Sequence, residues 1–184
     1  MVDYPAMFAR IVADARYQRN LDWGEPRSGH PEGSIRAHIE ELERNLAVLR
    51  PRLSAHDAWR LRVLIHTHDT FKPDATDGVA IVDPRSHASL ARRFLEELGA
   101  DADLLDIVQY HDEPYALWQQ VTRRRTFDRR RLRALLDRIQ AWDLYLAFLI
   151  IDGCTAGKSR EQLHWFFRQI AGKVRASFTE ADIL

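Results

Sequence analysis

Apolar residues recur three and four positions apart along most of this chain, and that spacing leaves little choice of fold. One such run lies on a single helical face and consists of Ile35, Ile39, Leu42, Leu46 and Leu49. Strict alternation of apolar and polar residues, the usual signal of a strand, is nearly absent. The chain is therefore predicted to be all-α, a compact bundle of many helices.

The boundaries of several helices can also be predicted. Ser34 and Ser54 have the residue type and position of N-caps for helices that run to Leu49 and to about Thr70. The stretch from Phe71 to Pro84 holds two prolines, a glycine and three aspartates, which predicts a loop. Further helices are expected near the N-terminus and at about 85–98, 102–112, 115–122, 129–151 and 159–174.

Size and composition bound the domain count and the compartment. With 184 residues and 46% hydrophobic content, we expect a single domain over 1–184, with its core at about 30–160. A lone cysteine, Cys154, excludes a disulfide framework and suits a reducing compartment. The start of the chain resembles an amphipathic helix more than a signal peptide. The longest apolar stretch, Leu144 to Ile151, is shorter than the roughly 20 residues that cross a bilayer. We expect a cytoplasmic protein without a membrane partner.

The charge balance bears on partners. The chain carries 27 Lys+Arg and 27 Asp+Glu, which argues against nucleic acid or anionic lipid as its main partner. The dense basic run from Thr122 to Arg133 has two interpretations, a solvated helix start or a contact with a polyanion. Oligomeric state is left open.

Four of the eight histidines fall on inward faces of different predicted helices: His38, His68, His87 and His111. A buried imidazole without a partner costs free energy, so several of them in one core favour convergence on a ligand. Asp69 adjoins His68, and imidazole with carboxylate suits divalent ions such as Mn, Mg, Ni, Zn or Fe. The sequence thus predicts a metal site in the helical core.

The other histidines are interpreted as structural. His66 is two positions from His68, about 200° round the helix, and so faces elsewhere. His56 falls in a first helical turn and is expected to be exposed. His30, in a loop, could border a pocket, and His164 belongs to the last helix.

The order of these residues resembles a known family. His68-Asp69 ends an apolar helix and is followed by Lys72, and this is similar to the HD-x-x-K signature of the HD-domain metal-dependent phosphohydrolases. The upstream histidine His38, the downstream His87 and His111, and a late aspartate follow in the family order over about residues 30–160.

The resemblance implies roles for these residues. His38, His68, Asp69 and a late aspartate would hold the main divalent metal. Asp152 is preferred for the last position because it ends a long apolar stretch before small residues, and Asp143 is the alternative. Asp69, Lys72, His87 and His111 would act in catalysis, the histidines by orienting substrate phosphate or helping to bind a second metal. Lys72 could instead be placed there by the helix dipole.

One segment of the chain resembles a nucleotide-binding motif but does not match it. The segment from Gly153 to Ser159, Gly-Cys-Thr-Ala-Gly-Lys-Ser, looks like a phosphate-binding Walker A loop. It has three residues between its glycines where that motif needs four, and it follows a predicted helix where the motif follows a strand. We interpret it as a turn, with Ser159 capping the next helix.

Taken together, the expected function is hydrolysis of a small phosphorylated metabolite, most simply a nucleotide, by metal-activated water. Two alternatives use the same residues. One is a di-iron oxygenase in which His87 and Asp112 complete a second iron site, and the other is a catalytically silent HD-type sensor or binding module. The sequence does not identify the metal or the substrate.

Overall fold

The computed structural model describes residues 2–29 and 31–184, and all regular secondary structure in them is helical. The prediction of an all-α protein is therefore confirmed. In chain order the α-helices are α1 (Tyr4–Ala13), α2 (Ala15–Asn20), α3 (Ile35–Leu49), α4 (Ala55–Thr67), α5 (His87–Leu98), α6 (Ala102–Tyr110), α7 (Glu113–Arg124), α8 (Arg129–Arg138), α9 (Trp142–Gly153) and α10 (Glu161–Ile170). Short 3-10 helices lie at Arg50–Arg52, Lys72–Asp74 and Glu180–Asp182.

The predicted serine caps are present at the starts of α3 and α4. The Ser34 hydroxyl accepts a hydrogen bond from the Ala37 backbone N–H at 3.2 Å, and the Ser54 hydroxyl accepts one from that of Asp57 at 2.9 Å. Each bond satisfies an N–H that the first turn of a helix leaves without an intrahelical acceptor. Both helices therefore begin where the sequence predicts.

One predicted helix is wrong. The structure divides 129–151 into α8 and α9, and Ile139 between them has extended backbone angles (φ −75°, ψ 124°). Helix α8 keeps a charged face in solvent and buries only Leu132 and Leu135. In α9, by contrast, every residue except Asp143 and Asp152 is buried. One straight helix cannot lie on the surface and also pass through the core, so the chain bends at residues 139–141.

Helix α9 is the centre of the hydrophobic core. Helices α3, α4 and α10 pack against it. Among the described residues, no helix is long and apolar enough to cross a membrane.

The pairing of consecutive helices determines where the site lies. Helix α3 packs on α4, and α5 packs on α6. In each pair the first turn of one helix meets the end of the next: the rings of His38 and His68 are 5.6 Å apart, and those of His87 and His111 are 5.2 Å apart. The chain thus leaves the site along α3 and returns to it along α4, which accounts for the 30 residues between His38 and His68.

Candidate metal centre

The predicted site residues are located at helix ends that converge at one place. His38 is in the first turn of α3 and His87 opens α5, while His68 and His111 directly follow α4 and α6. Asp152 is the last residue but one of α9. These helices bring the side chains of residues far apart in sequence into contact beside the buried α9.

One group of side chains consists of His38, His68 and Asp152, whose nearest ligand atoms all lie within 4.8 Å of one another. Asp152 Oδ1 is 3.0 Å from His38 Nε2 and 3.8 Å from His68 Nε2. The His68 ring is 1% exposed and packs edge-on against Phe148 of α9. This group has the ligand types and the closeness that a divalent ion requires.

The tautomer of His68 supports this interpretation. Its Nδ1 lies 3.1 Å and 3.2 Å from the carbonyl oxygens of Ile65 and Leu64, so Nδ1 carries the proton and donates a hydrogen bond to the backbone. The lone pair of Nε2 then points towards the carboxylates of Asp69 and Asp152. Within the described part of the chain this buried atom has no hydrogen-bond partner. A buried acceptor without a hydrogen-bond partner costs free energy, and a cation bound between it and the two carboxylates would satisfy it.

A second group consists of Asp69, His87 and His111. Asp69 Oδ1 is 3.7 Å from His87 Nε2 and 3.8 Å from His111 Nε2, and the two Nε2 atoms are 3.3 Å apart. Asp112 adds a carboxylate oxygen 3.2 Å from His87 Nε2. His111 Nδ1 donates to the carbonyl oxygen of Val108 at 2.7 Å, which orients the ring. Two nitrogens this close share a hydrogen bond when one of them is protonated.

Asp69 lies between the two groups. Its Oδ1 faces His87 and His111, and its Oδ2 lies 3.5 Å from His68 Nε2 and 4.0 Å from His38 Nε2. One carboxylate therefore contacts both sets of imidazoles, and it is in a position to act on either side.

Burial and charge determine the protonation of the histidines. Burial lowers the pKa of His68 to about 4, so its imidazole is neutral at pH 7. Burial also opposes the charged form of His111, but Asp112 and Asp69 outweigh it and raise the pKa of His111 to about 9. At neutral pH His68 is therefore a neutral acceptor, whereas His111 carries a positive charge beside Asp69 and Asp112.

The carboxylates are held ionised by lysines. Burial opposes ionisation of Asp69, but Lys72 together with the surrounding histidines outweighs it, and the pKa of Asp69 lies well below its usual range. In the same way burial opposes ionisation of Asp152, but Lys158 together with His38 and His68 holds the pKa of Asp152 well below its usual range. Lys72 Nζ donates to Asp69 Oδ2, and Lys158 Nζ donates to Asp152 Oδ1 at 2.8 Å. Both carboxylates are therefore available as anionic ligands.

Sequence reasoning missed two residues of this centre. Lys158 belongs to the Gly153–Ser159 segment, which the sequence analysis interprets as a turn. The likeness of that segment to a phosphate-binding loop was the only feature of the sequence that pointed to this lysine. Glu32 Oε1 lies 3.0 Å from His38 Nδ1, and both side chains are 5% exposed. A carboxylate behind a ligand histidine fixes its tautomer and ring orientation. Nothing in the sequence distinguishes Glu32 from other loop glutamates.

The alternative aspartate is placed elsewhere. Asp143 is exposed on α9 and accepts hydrogen bonds from the backbone N–H and the hydroxyl of Ser177. Asp152, nine residues later on the same helix, lies within the first group.

The remaining histidines are also outside the two groups. His66 Nδ1 lies 2.6 Å from the Tyr17 hydroxyl, His56 is exposed, and His164 contacts Glu180. His30 is outside the described residues.

A cavity of 340 Å³ opens above the carboxylates. Aromatic side chains form part of its wall and polar loop residues form another part. Its lining includes Ser28, Gly29, His68, Asp69, Lys72, His111, Asp112, Tyr115, Trp118, Asp152, Lys158, Ser159 and Gln162. An adjoining cavity shares Lys72, Asp112 and Tyr115 and is lined by residues 75–81 of the predicted loop. A small molecule can therefore reach both groups.

The chain was compared with protein-family models, curated proteins and solved structures, and none of them matches.

Proposed function

We propose that this protein is a metal-dependent phosphohydrolase of the HD-domain type that acts on a small phosphorylated metabolite, with a nucleotide as the expected class. The observation that carries the proposal is a cluster of acceptors, the buried His68 Nε2 and the carboxylates of Asp69 and Asp152, at the floor of an open cavity flanked by Lys72 and Lys158. The acceptors are suited to bind a cation, and the lysines are suited to bind an anionic substrate.

His38, His68, Asp69 and Asp152 would hold the divalent ion. Such an ion supplies Lewis acidity, which lowers the pKa of a bound water and polarises a phosphoryl oxygen. Lys72 keeps Asp69 ionised and in place and presents a positive charge to the cavity. Asp69, which contacts both groups, is the expected proton acceptor.

His87 and His111 have a different role in this proposal. Their Nε2 atoms lie 3.3 Å apart next to Asp69 and Asp112, and His111 lines this cavity while His87 lines the adjoining one. A shared proton there can neutralise charge that develops on the phosphoryl oxygens or can be passed to the leaving group. The pair is thus suited to act on substrate from the side away from His38.

A phosphate-release screen tests the proposal. The purified protein is incubated with nucleoside monophosphates, triphosphates, cyclic nucleotides and ppGpp, each with Mn²⁺, Mg²⁺, Ni²⁺ or Zn²⁺. We expect release of phosphate from at least one substrate that stops when EDTA is added. Absence of turnover from every compound, with metal demonstrably bound, would favour the sensor alternative.

The second group favours one further candidate. Asp69, His87, His111 and Asp112 bring a second set of nitrogen and oxygen ligands beside the first, which is the ligand set a di-iron oxygenase would need. Metal analysis after anaerobic purification separates the two functions. Two irons per chain with substrate-dependent oxygen consumption would support the oxygenase, and one non-iron divalent ion would support the hydrolase.

A further inference from the structure

The loop between α9 and α10, residues 154–160, is fixed in place by one arginine. The Arg160 guanidinium donates hydrogen bonds to the carbonyl oxygens of Cys154, Thr155 and Lys158 at 2.9, 3.0 and 2.7 Å. It also reaches the carbonyl oxygen of Gly153 at 3.3 Å. The loop therefore holds a defined backbone conformation, although it contains no regular structure.

At Gly157 the loop packs closely against Pro31, in the segment that precedes α3. The Gly157 φ of +75° lies in the left-handed region, and a Cβ at this position would come within 2.9 Å of the Pro31 ring. The two loops are thus in close contact beside the cavity, and the side chain that follows, Lys158, is part of its lining.

Lys158 is anchored by only some of its donors. Its Nζ donates to the carbonyl oxygen of Asp152 at 3.1 Å and to Asp152 Oδ1 at 2.8 Å. An ammonium group has three N–H donors, so within the described residues one is left for the cavity. The side chain is 19% exposed, which is the solvent access that a ligand would occupy.

The choice of residue is informative in this chain. Only three of its 27 basic residues are lysine, and two of these, Lys72 and Lys158, line the cavity beside a candidate ligand carboxylate. Lysine offers a compact point charge with rotatable donors, which suits a single phosphoryl oxygen, whereas arginine forms a planar fork. The two ammonium groups approach the same floor from the loop after α9 and from the 3-10 helix after α4.

We propose that Lys158 binds the phosphate of the substrate together with Lys72, and that this pair selects phosphomonoesters over phosphodiesters. A terminal phosphate carries a charge of about −1.5 to −2 at neutral pH, whereas a diester carries a single negative charge. Two ammonium groups complement the former better. The selection of monoesters rests on the proposed function, but phosphate binding itself is measured without turnover.

The test is a calorimetric titration of metal-loaded protein with inorganic phosphate and, separately, with dimethyl phosphate. We expect Lys158→Gln to weaken phosphate binding about 10-fold or more, as loss of a charge-assisted hydrogen bond implies. Binding of dimethyl phosphate should change less. Lys173→Gln, an exposed lysine after α10, is the matched control and should bind phosphate like the wild type.

Two further measurements keep the result decisive. Lys158→Arg retains the charge and should recover most of the phosphate affinity, and metal content should be equal in all variants. Undiminished phosphate binding by Lys158→Gln, equal losses for both ligands, or loss of the metal from Lys158→Gln would each overturn the proposal. A failed hydrolysis screen, by contrast, would overturn the function and leave these titrations interpretable.

Discussion

At the scale of single residues, the contacts of the ring nitrogens orient the two histidines of the first group as candidate metal ligands. The His68 Nδ1–H donates hydrogen bonds to carbonyl oxygens of α4, and Glu32 Oε1 lies 3.0 Å from His38 Nδ1. The Nε2 atoms of both rings consequently face Asp152 Oδ1. Ring orientation by a backbone or carboxylate partner is the usual support of a ligand histidine.

The choice between the two aspartates of α9 can be tested directly. Asp152→Asn removes a charged oxygen from the first group, so metal affinity should fall by more than the roughly 10–100-fold that loss of an outer partner costs. Asp143→Asn is the matched control on the same helix and should bind metal normally. Competitive titration with a chromophoric chelator measures both, and equal affinities would remove Asp152 from the site.

Glu32 has a separate, weaker effect. Glu32→Gln keeps the shape of the side chain but loses the charge that favours a proton on His38 Nδ1, and metal affinity should fall about 10–100-fold. Glu40→Gln on the exposed face of α3 serves as the control. The same chelator titration is used, and an unchanged affinity for Glu32→Gln would show that His38 is oriented without it.

Some site residues could be predicted and others could not, for physical reasons. His68 and His111 fall three and four positions after apolar residues, so helical geometry alone turns them inward. Asp152 satisfies that rule and Asp143 also follows an apolar residue, Ile139, by four positions, so it is the path of α9 that separates them. Glu32 and Lys158 belong to loops, where no periodicity relates a residue's position in the sequence to the direction of its side chain.

At the scale of secondary structure, the ends of helices were predictable where a cap or a proline marks them. Ser34 and Ser54 show this. The bend between α8 and α9 carries no glycine or proline, because it arises from packing: one segment is amphipathic and the next is buried on nearly all sides. The prediction that Ser159 caps α10 is wrong, because the helix begins at Glu161 and its N-cap is Arg160. The Ser159 hydroxyl still accepts a hydrogen bond from the Glu161 N–H at 3.3 Å.

The 154–160 loop gives a prediction at the same scale. Arg160→Met removes the donors that satisfy the loop's carbonyl oxygens, so the free energy of unfolding should fall by about 1–3 kcal/mol. Arg168→Met breaks only an exposed ion pair with Glu180, and it should cost less than about 1 kcal/mol. Urea unfolding measures the free energy of unfolding of both variants. An equal decrease in the two would mean that the hydrogen bonds of Arg160 to the loop add no more stability than an exposed ion pair.

At the scale of the whole molecule, the candidate ligands connect elements that are distant in sequence. The first group ties α3, α4 and α9 together, and the second joins the end of α4 to α5 and α6. Neutral total charge does not prevent phosphate binding, because the few lysines of the chain are concentrated at the cavity.

Metal binding should therefore stabilise the entire fold. A ligand that binds only the native state adds about 2.7 kcal/mol at a free concentration 100 times its Kd. We expect the thermal midpoint of the EDTA-treated protein to rise when Mn²⁺ or Zn²⁺ is restored. Differential scanning calorimetry measures the shift, and His56→Ala, which alters an exposed histidine, should shift equally.

The most direct test is the metal content of the wild type, His68→Ala and Asp69→Ala, measured by inductively coupled plasma mass spectrometry beside phosphate release. The wild type should hold at least one divalent ion per chain, and both variants should lose the metal and the activity together while circular dichroism still reports a helical fold. A folded variant that keeps both its metal and its activity would contradict the assignment of this centre.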